Sequence, residues 1–506
     1  MTAPSPWLVL AIVSSALFLI VIDMTALYTA LPTLTRDLEA SATEKLWIVN
    51  AYSLVVAGLL PGAGALGDRY GHRRMFTIGL AIFGAASLAA GFAPTSATLI
   101  AARAGLAVGA AAMMPATLSI IRHTFEDPDD RALAIGIWAA VASGGAALGP
   151  VIGGALLEHF HWGAVFLINL PVVLAALALT AAFVPRGQGH GHHPFDPVGS
   201  LLVLVGLVGV TLAIKEIARP DPSLTVLLLS ALAGLAALVL FFRRLPRSAN
   251  PMIDLTLFRD PRFAGGVIGA LVSAAALLGV QLAITQRLQL VQGLSPLQAG
   301  LFVLPIPLAS FLAGPVAGMM MGRVGAGRLL AATLVVSGAG ILVYWAGVGH
   351  QGIELASFAI MGAGIGAAMT AASSTIMLSA PADRAGMAAS VEEVSYELGG
   401  ALGIAVLGSL MAGIYSAASS AAGLGNEASD SLDGALALAA TLPAPQADRL
   451  LSVANAAFDR ATGGGGACGG AGALGGGCLG GPDQPRGGPR PAGRLTPDRA
   501  RGKQSP

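Results

Sequence analysis

The chain runs to 506 residues with a formal net charge of +1, 55% hydrophobic residues, 11% charged ones and a mean hydropathy of +0.75. Soluble globular domains carry about 25% charged residues, so the composition excludes one and indicates a polytopic membrane protein. The near-neutral balance offers no concentrated basic surface and argues against a nucleic-acid partner, and the two cysteines, Cys468 and Cys478, lie in the far C-terminal tail, away from the hydrophobic body.

The first apolar segment lacks a basic leader and outruns the 7 to 15 residue core of a signal peptide, so it reads as a retained helix. About 20 mostly apolar residues cross a bilayer, and that template gives thirteen spans: 7–31, 46–66, 75–93, 99–121, 132–157, 164–184, 198–214, 224–242, 263–285, 297–320, 329–348, 355–378 and 387–412. Fourteen arginines and lysines fall in one alternate set of connections, starting with the second, and five in the other. The positive-inside bias therefore puts the N-terminus in the cytoplasm.

The first span contains "LFLIVIDMTALYTALP", with Asp23 alone in apolar surroundings. Insertion scales put the cost of a charged side chain at a helix centre at roughly 2.5 to 3.5 kcal/mol, so such a residue faces protein or a wet cavity and marks function. Asp23 lies somewhat outside the midplane, and Arg103, four residues into the fourth span, falls in the same outer half. The two are placed to share one cavity.

Between the second and third spans stands "GALGDRYGHRRMF". Glycine permits a tight turn and close helix approach, Asp68 is an anionic partner, and Arg69, Arg73 and Arg74 are cationic ones. The positive-inside rule accounts for the arginines but not for Asp68 or the glycine spacing. In the fifth span, "GGAALGPVIGGAL" repeats Gly145, Gly149 and Gly153 at every fourth residue, a smooth stripe for helix packing, with Pro150 removing an amide and bending the helix.

His190, His192 and His193 crowd a polar Gly/Pro loop with no regular element to fix ligand geometry, and read as a solvated segment rather than a metal site. Met113, Met114 and Met319 to Met321 read as packing residues. No GxxxxGK[ST] stretch occurs, which leaves ATP-driven pumping unsupported within this chain. In the last span, "SVEEVSYELGGALG" places Glu393 and Glu397 four apart on one face, where two carboxylates can share protons or receive cations. Glu392 points about 100° away and is expected near the membrane interface.

These motifs carry a resemblance to the major facilitator superfamily. Gly64, Leu66, Asp68, Arg69, Gly71, His72, Arg73 and Arg74 fit its G-x-L-x-D-R-x-G-R/H-R/K signature, and "RAGLAVGAAAMMP" resembles its fourth-helix pattern with Leu106 and Ala107 in place of Gln-Gly. Gly145, Gly149, Pro150, Gly153 and Gly154 resemble the antiporter signature. "IDMTALYTALP" and the acidic last span are similar to the fourteen-helix drug:proton antiporters, over roughly residues 7–460.

The resemblance implies an all-α major facilitator fold: a six-helix bundle over 1–184, two extra helices and a linker over 185–262, and a second bundle over 263–460. It implies no enzymatic chemistry, no catalytic residue, no metal and no cofactor, but a proton gradient driving efflux of lipophilic, often cationic, small molecules across the cytoplasmic membrane by a monomer. Asp23, Arg103, Glu393 and Glu397 would couple protons, whereas Gly64, Asp68, Arg69, Gly71 and Arg73 would form a conformational gate. An exporter of one metabolite, or a proton-coupled importer, would share the fold.

The family pattern also implies a fourteenth helix. Residues 461–506 supply instead a Gly/Pro/Arg-rich run, the composition of a disordered tail and of GC-rich DNA read in a shifted frame. A frameshift near 460–463 is the expectation, leaving the last helix missing.

Overall fold

The computed structural model describes residues 5–185, 196–217, 222–245, 253–422 and 432–461. The histidine-bearing loop, and the tail with its frameshift expectation, lie outside these residues. Thirteen of the described helices are long and apolar enough to cross a membrane: α1 Pro6–Asp37, α2 Ala42–Tyr70, α3 His72–Gly91, α4 Ser96–Thr124, α5 Pro128–His159, α6 Ala164–Phe183, α7 Pro197–Ile217, α8 Leu224–Arg244, α9 Pro261–Val291, α10 Gln298–Val324, α11 Ala326–Ala346, α12 Gln351–Ser379 and α13 Ala385–Ala421. Among the described residues there is no strand.

Helix ends follow local chemistry. Ser41 and Glu44 form a reciprocal capping box at the start of α2, and Asp127 accepts the N–H groups of Asp129 and Asp130 at the start of α5, so donors left unpaired by the helix ladder are satisfied. The α2–α3 turn is a single residue, Gly71, at φ 96, and the α10–α11 turn is Gly325 at φ 85. Only glycine takes that backbone region at no steric cost.

Helices α1 to α6 form one bundle and α9 to α13 another. They meet through two extensive pairings, α2 with α13 and α5 with α10, and both rest on glycine. A Cβ on Gly136 would stand 2.6 Å from the Gly314 carbonyl oxygen, one on Gly318 2.6 Å from that of Ala132, and one on Gly64 would collide with that of Gly386. All three approaches lie at the end of the molecule bearing the α2–α3, α4–α5 and α10–α11 turns with Arg69, Arg73, Arg74, Arg131, Arg323 and Arg328. This end is the basic face.

The inserted helices α7 and α8 pack on each other, and α7 also lies against α2 and α13, beside the bundles rather than in the interface core. Two further helices were not legible as spans: α14 Leu432–Ala439 and α15 Ala444–Ala461. Helix α15 is amphipathic, burying Ala454, Ala457 and Phe458 at one-turn spacing against Met411 and Tyr415 of α13. An interface helix of this kind escapes a span template because half its surface is polar.

Candidate transport site

Asp23 is wholly buried on α1 and both of its oxygens are bonded. Oδ2 accepts from Arg103 Nη1 of α4 at 2.6 Å, and Oδ1 from Asn169 Nδ2 of α6 at 3.2 Å. Asn169 also donates to Ser87 Oγ of α3 at 3.2 Å, while Arg103 Nε donates to the Ile48 carbonyl of α2 at 3.3 Å. The guanidinium carbon sits 4.7 Å from the Tyr52 ring centroid, a cation–π contact. Five helices of one bundle thus converge on a single ion pair.

Tyr52 is buried on α2, the helix that also packs against α13. Tyr28, five residues beyond Asp23 on α1, is 60% exposed. The glycine approaches between the bundles lie at the basic face, and Tyr28 lies towards the other end of α1.

The glutamates of α13 differ from one another. Glu397 is half-buried. Glu393 is buried, and its Oε1 has no hydrogen-bond partner. Glu392, expected near the interface, is instead 0% exposed, accepting from Ser373 Oγ of α12, with Oε2 unpartnered. The correction has a simple cause: α2, α4, α9 and α12 cover the first turns of α13, so a residue seven positions from the helix start is already inside protein.

At the basic face, Asp68 accepts the backbone N–H groups of Gly386 at 2.8 Å and Met387 at 3.0 Å, the first turn of α13. A helix N-terminus presents unpaired amides and the positive end of its dipole, and a carboxylate there is stabilised by both. His72 Nε2 stands 3.3 Å from Asp68 Oδ1. Arg69 lies 5.2 Å from the Tyr70 ring and Arg73 donates to the Ala181 carbonyl of α6 at 2.9 Å, so these arginines bind within their own bundle rather than across the interface. Arg122 of α4 donates across it, to the Ala380 carbonyl.

The glycine stripe of α5 faces α1. Cβ atoms at Gly145 and Gly153 would stand 3.1 Å from Val21 and from Ala26, and one at Gly149 would collide with Thr25. These α1 residues flank Asp23, so the stripe fixes how close the acid-bearing stretch comes to α5. Gly154 has nothing within 4 Å of a built Cβ and is not part of the contact. Pro150 lies inside α5.

The sequence reading missed Asn169, Asn50 and Tyr52, although each is a polar group within an apolar span, the same signal that singles out Asp23, and Lys215, one residue beyond the end of its span. It also missed a repeat: "GMMMGRVGAGR", 318–328, follows the "GALGDRYGHRR" pattern of 64–74 with Gly322 where Asp68 stands. There the acid comes from the other side, as Asp129 at the first turn of α5 lies against Gly322.

Residues 13–404 match the family model of the Major Facilitator Superfamily. The chain belongs to that superfamily. It is 41% identical over 468 residues to the methyl viologen resistance protein SmvA of Salmonella typhimurium, covering 89% of this chain and 93% of SmvA. It is 42% identical over 466 residues to the multidrug efflux pump LfrA of Mycolicibacterium smegmatis, covering 90% and 92%. The human organic anion transporter MFSD10 superposes with a TM-score of 0.60 at 14% identity, covering 91% of this chain and 97% of that one, a likeness of fold alone. As a superfamily member with thirteen candidate spans among its described residues, the chain is a multi-pass membrane transporter.

Proposed function

We propose that this chain exports lipophilic, cationic small molecules in exchange for protons by alternating access of the inter-bundle cleft. The observation that carries the reading is the division of labour around that cleft: a bonded acid in one bundle, unbonded acids on the other, and a sealed basic face. Relatives named for multidrug efflux and methyl viologen resistance support the same direction of transport. The arginine bias puts the basic face, and with it the N-terminus, in the cytoplasm of a plasma-membrane protein. The glycine approaches of that face then close the cytoplasmic side.

In this reading Asp23, tuned by Arg103, carries the exchanged proton: breaking the ion pair frees Oδ2 to take one, and reforming it expels the proton. Glu393 and Glu397 receive protons or the cationic group of the substrate. Asp68, Gly64 and Gly71, with Arg69 and Arg73 bracing the turn, hold the cytoplasmic gate shut until the helix-terminus bonds release. The chain works as a monomer, as a transporter and not an enzyme, needing no cofactor or metal beyond the proton gradient.

The test uses inverted vesicles loaded by a pH gradient. Asp23→Asn, which cannot release a proton, should insert normally and lose gradient-driven accumulation of a lipophilic cationic dye. Wild-type accumulation by Asp23→Asn would overturn the proton assignment, and no accumulation by the wild type would overturn efflux itself.

A further inference from the structure

Asp68 is not the only group of the first bundle that grips the turn between α12 and α13. Helix α12 ends at Ser379, its C-cap residue Ala380 is extended, Pro381 follows, and a 3-10 turn, Ala382–Arg384, leads into α13 at Ala385. A helix end leaves its last carbonyls without partners and carries the negative end of the dipole, whereas a helix start offers unpaired amides at a positive end. Two helix termini of opposite polarity therefore stand on either side of one short turn.

Each terminus receives the complementary charge, and both charges come from the other bundle. Asp68 of α2 accepts the amides of Gly386 and Met387 at 2.8 and 3.0 Å. Arg122, in the last turn of α4, donates from Nη2 to the Ala380 carbonyl. That is its one hydrogen bond among the described residues, and Nη1 of the same guanidinium is buried without a partner. Nearby groups behave differently: Arg131 donates to the Phe125 and Glu126 carbonyls of its own α4–α5 turn at 2.9 and 3.0 Å, and His123 Nδ1 stands 2.7 Å from the Ser119 carbonyl one turn back. An arginine serving only its own helix would bond in that way. Arg384, inside the α12–α13 turn, is paired as well, but with Asp254 at 2.8 Å, in the connection that leads into α9. That pair involves none of the helices α1 to α6.

We infer that Arg122 is a positioning residue of the cytoplasmic gate, holding the end of α12 as Asp68 holds the start of α13, so that the bundles part only when both contacts break. The inference rests on the alternating-access reading above and adds to it a residue outside the α2–α3 motif. A hydrogen bond with a charged partner is roughly twice as strong as a neutral one, so a single contact carries weight here. The unpartnered Nη1 limits the hold: a buried donor left without a partner is costly, and hydration relieves that cost as the face opens. The contact closes the gate without locking it.

The experiment reads the gate with a reporter cysteine at Ser390, which is buried on α13 where a Cβ on Gly64 of α2 would stand 2.7 Å from its hydroxyl. The full-length protein carries Ser390→Cys, with both tail cysteines, Cys468 and Cys478, replaced by serine. In inverted vesicles, the rate of labelling by a hydrophilic maleimide then measures how often α2 and α13 separate. Arg122→Gln should speed labelling about tenfold, equivalent to about 1.4 kcal/mol. Arg122→Lys should return it most of the way, because an ammonium still places a donor and a positive charge at the helix end. Arg384→Gln, which breaks a pair at the same turn without touching the first bundle, should leave the rate at the wild-type value. Arg122→Met, which keeps the apolar stem, serves if the glutamine variant fails to fold. Labelling unchanged by Arg122→Gln while Asp68→Asn speeds it, or an equal rise with Arg384→Gln, would overturn the inference and leave the efflux reading standing. A reporter that stays unlabelled in the wild type and in Asp68→Asn alike, even with a lipophilic cation and a pH gradient present, would overturn alternating access at this face as well.

Discussion

Asp23 and Glu393 are both buried carboxylates on membrane-spanning helices, yet every oxygen of the first is bonded, while Oε1 of the second has no partner. The first sits inside a bundle, held by a guanidinium and an amide from α4 and α6. The second lies on α13 between two other carboxylates of the same helix, Glu392 and Glu397. The contrast separates two ways of keeping an acid in a membrane protein. In one the protein supplies the counter-charge; in the other the carboxylate is left for whatever enters.

The sharpest way to break this comparison is to remove the partner from the satisfied acid. Arg103→Ala leaves a buried carboxylate without its cation, and stripping one member of a buried pair costs about 3 to 5 kcal/mol. We expect the largest fall in thermal unfolding temperature here, together with loss of gradient-driven uptake. Glu393→Gln, which removes no bonded partner, should leave the unfolding temperature close to wild type while changing the range of cations transported. Equal destabilisation by the two variants would show that the acids are held alike.

How far each acid could be read from sequence follows the same division. Asp23 was legible because one charge in an apolar stretch needs no context, and the thirteen spans because hydropathy is a local property. The turn at Gly71 was legible because its residue types are demanded by local geometry. What could not be read is depth set by neighbours: Glu392 looked shallow by counting from the end of its helix, and only the helices packed around it bury it. The pairing of Asp23 with Arg103 followed from their shared depth, but the amide and the ring that complete it, Asn169 and Tyr52, were passed over because neither carries a charge to draw attention. The end of α1 shows the remaining gap, continuing to Asp37, six residues beyond its apolar stretch, because a helix persists into the polar boundary where a hydropathy template stops.

A second, smaller test concerns how α1 is held so that Asp23 meets Arg103. Gly149 and Gly154 belong to one sequence motif, but only Gly149 touches α1. Gly149→Ala should drive its methyl into the stiff, β-branched Thr25 and cost about 1 to 3 kcal/mol, the usual penalty of overpacking, with a matching loss of uptake. Gly154→Ala meets open space and should be neutral, or gain up to about 1 kcal/mol from helix propensity. Unfolding temperatures and uptake rates of the two variants decide it. Equal damage at both positions would mean that the motif acts through helix flexibility and not through contact.

The smallest effect is expected at the surface counterpart of the Asp23 pair. Asp196 caps α7 by accepting the Gly199 N–H at 2.9 Å and binds Arg244 at the end of α8 through two contacts of 3.0 and 3.2 Å. The Arg244 hydrogen bonds, chiefly, hold its carboxyl below the usual carboxylate range. A depressed folded-state value means that the stabilisation is present above the ordinary carboxylate range and is lost as pH falls through the depressed one. Unlike Arg103, which is buried, Arg244 is largely in contact with solvent, so water and salt screen the pair and little stability rests on it. Asp196→Asn should therefore lower the unfolding temperature slightly at neutral pH, and the difference from wild type should close as the pH is taken down through the depressed carboxyl value. It should also shrink in high salt, whereas the Arg103→Ala deficit should not. A gap between Asp196→Asn and wild type that stayed constant with both pH and salt would assign the cost to the cap at Gly199 alone, and would remove this ion pair as the exposed term of the comparison.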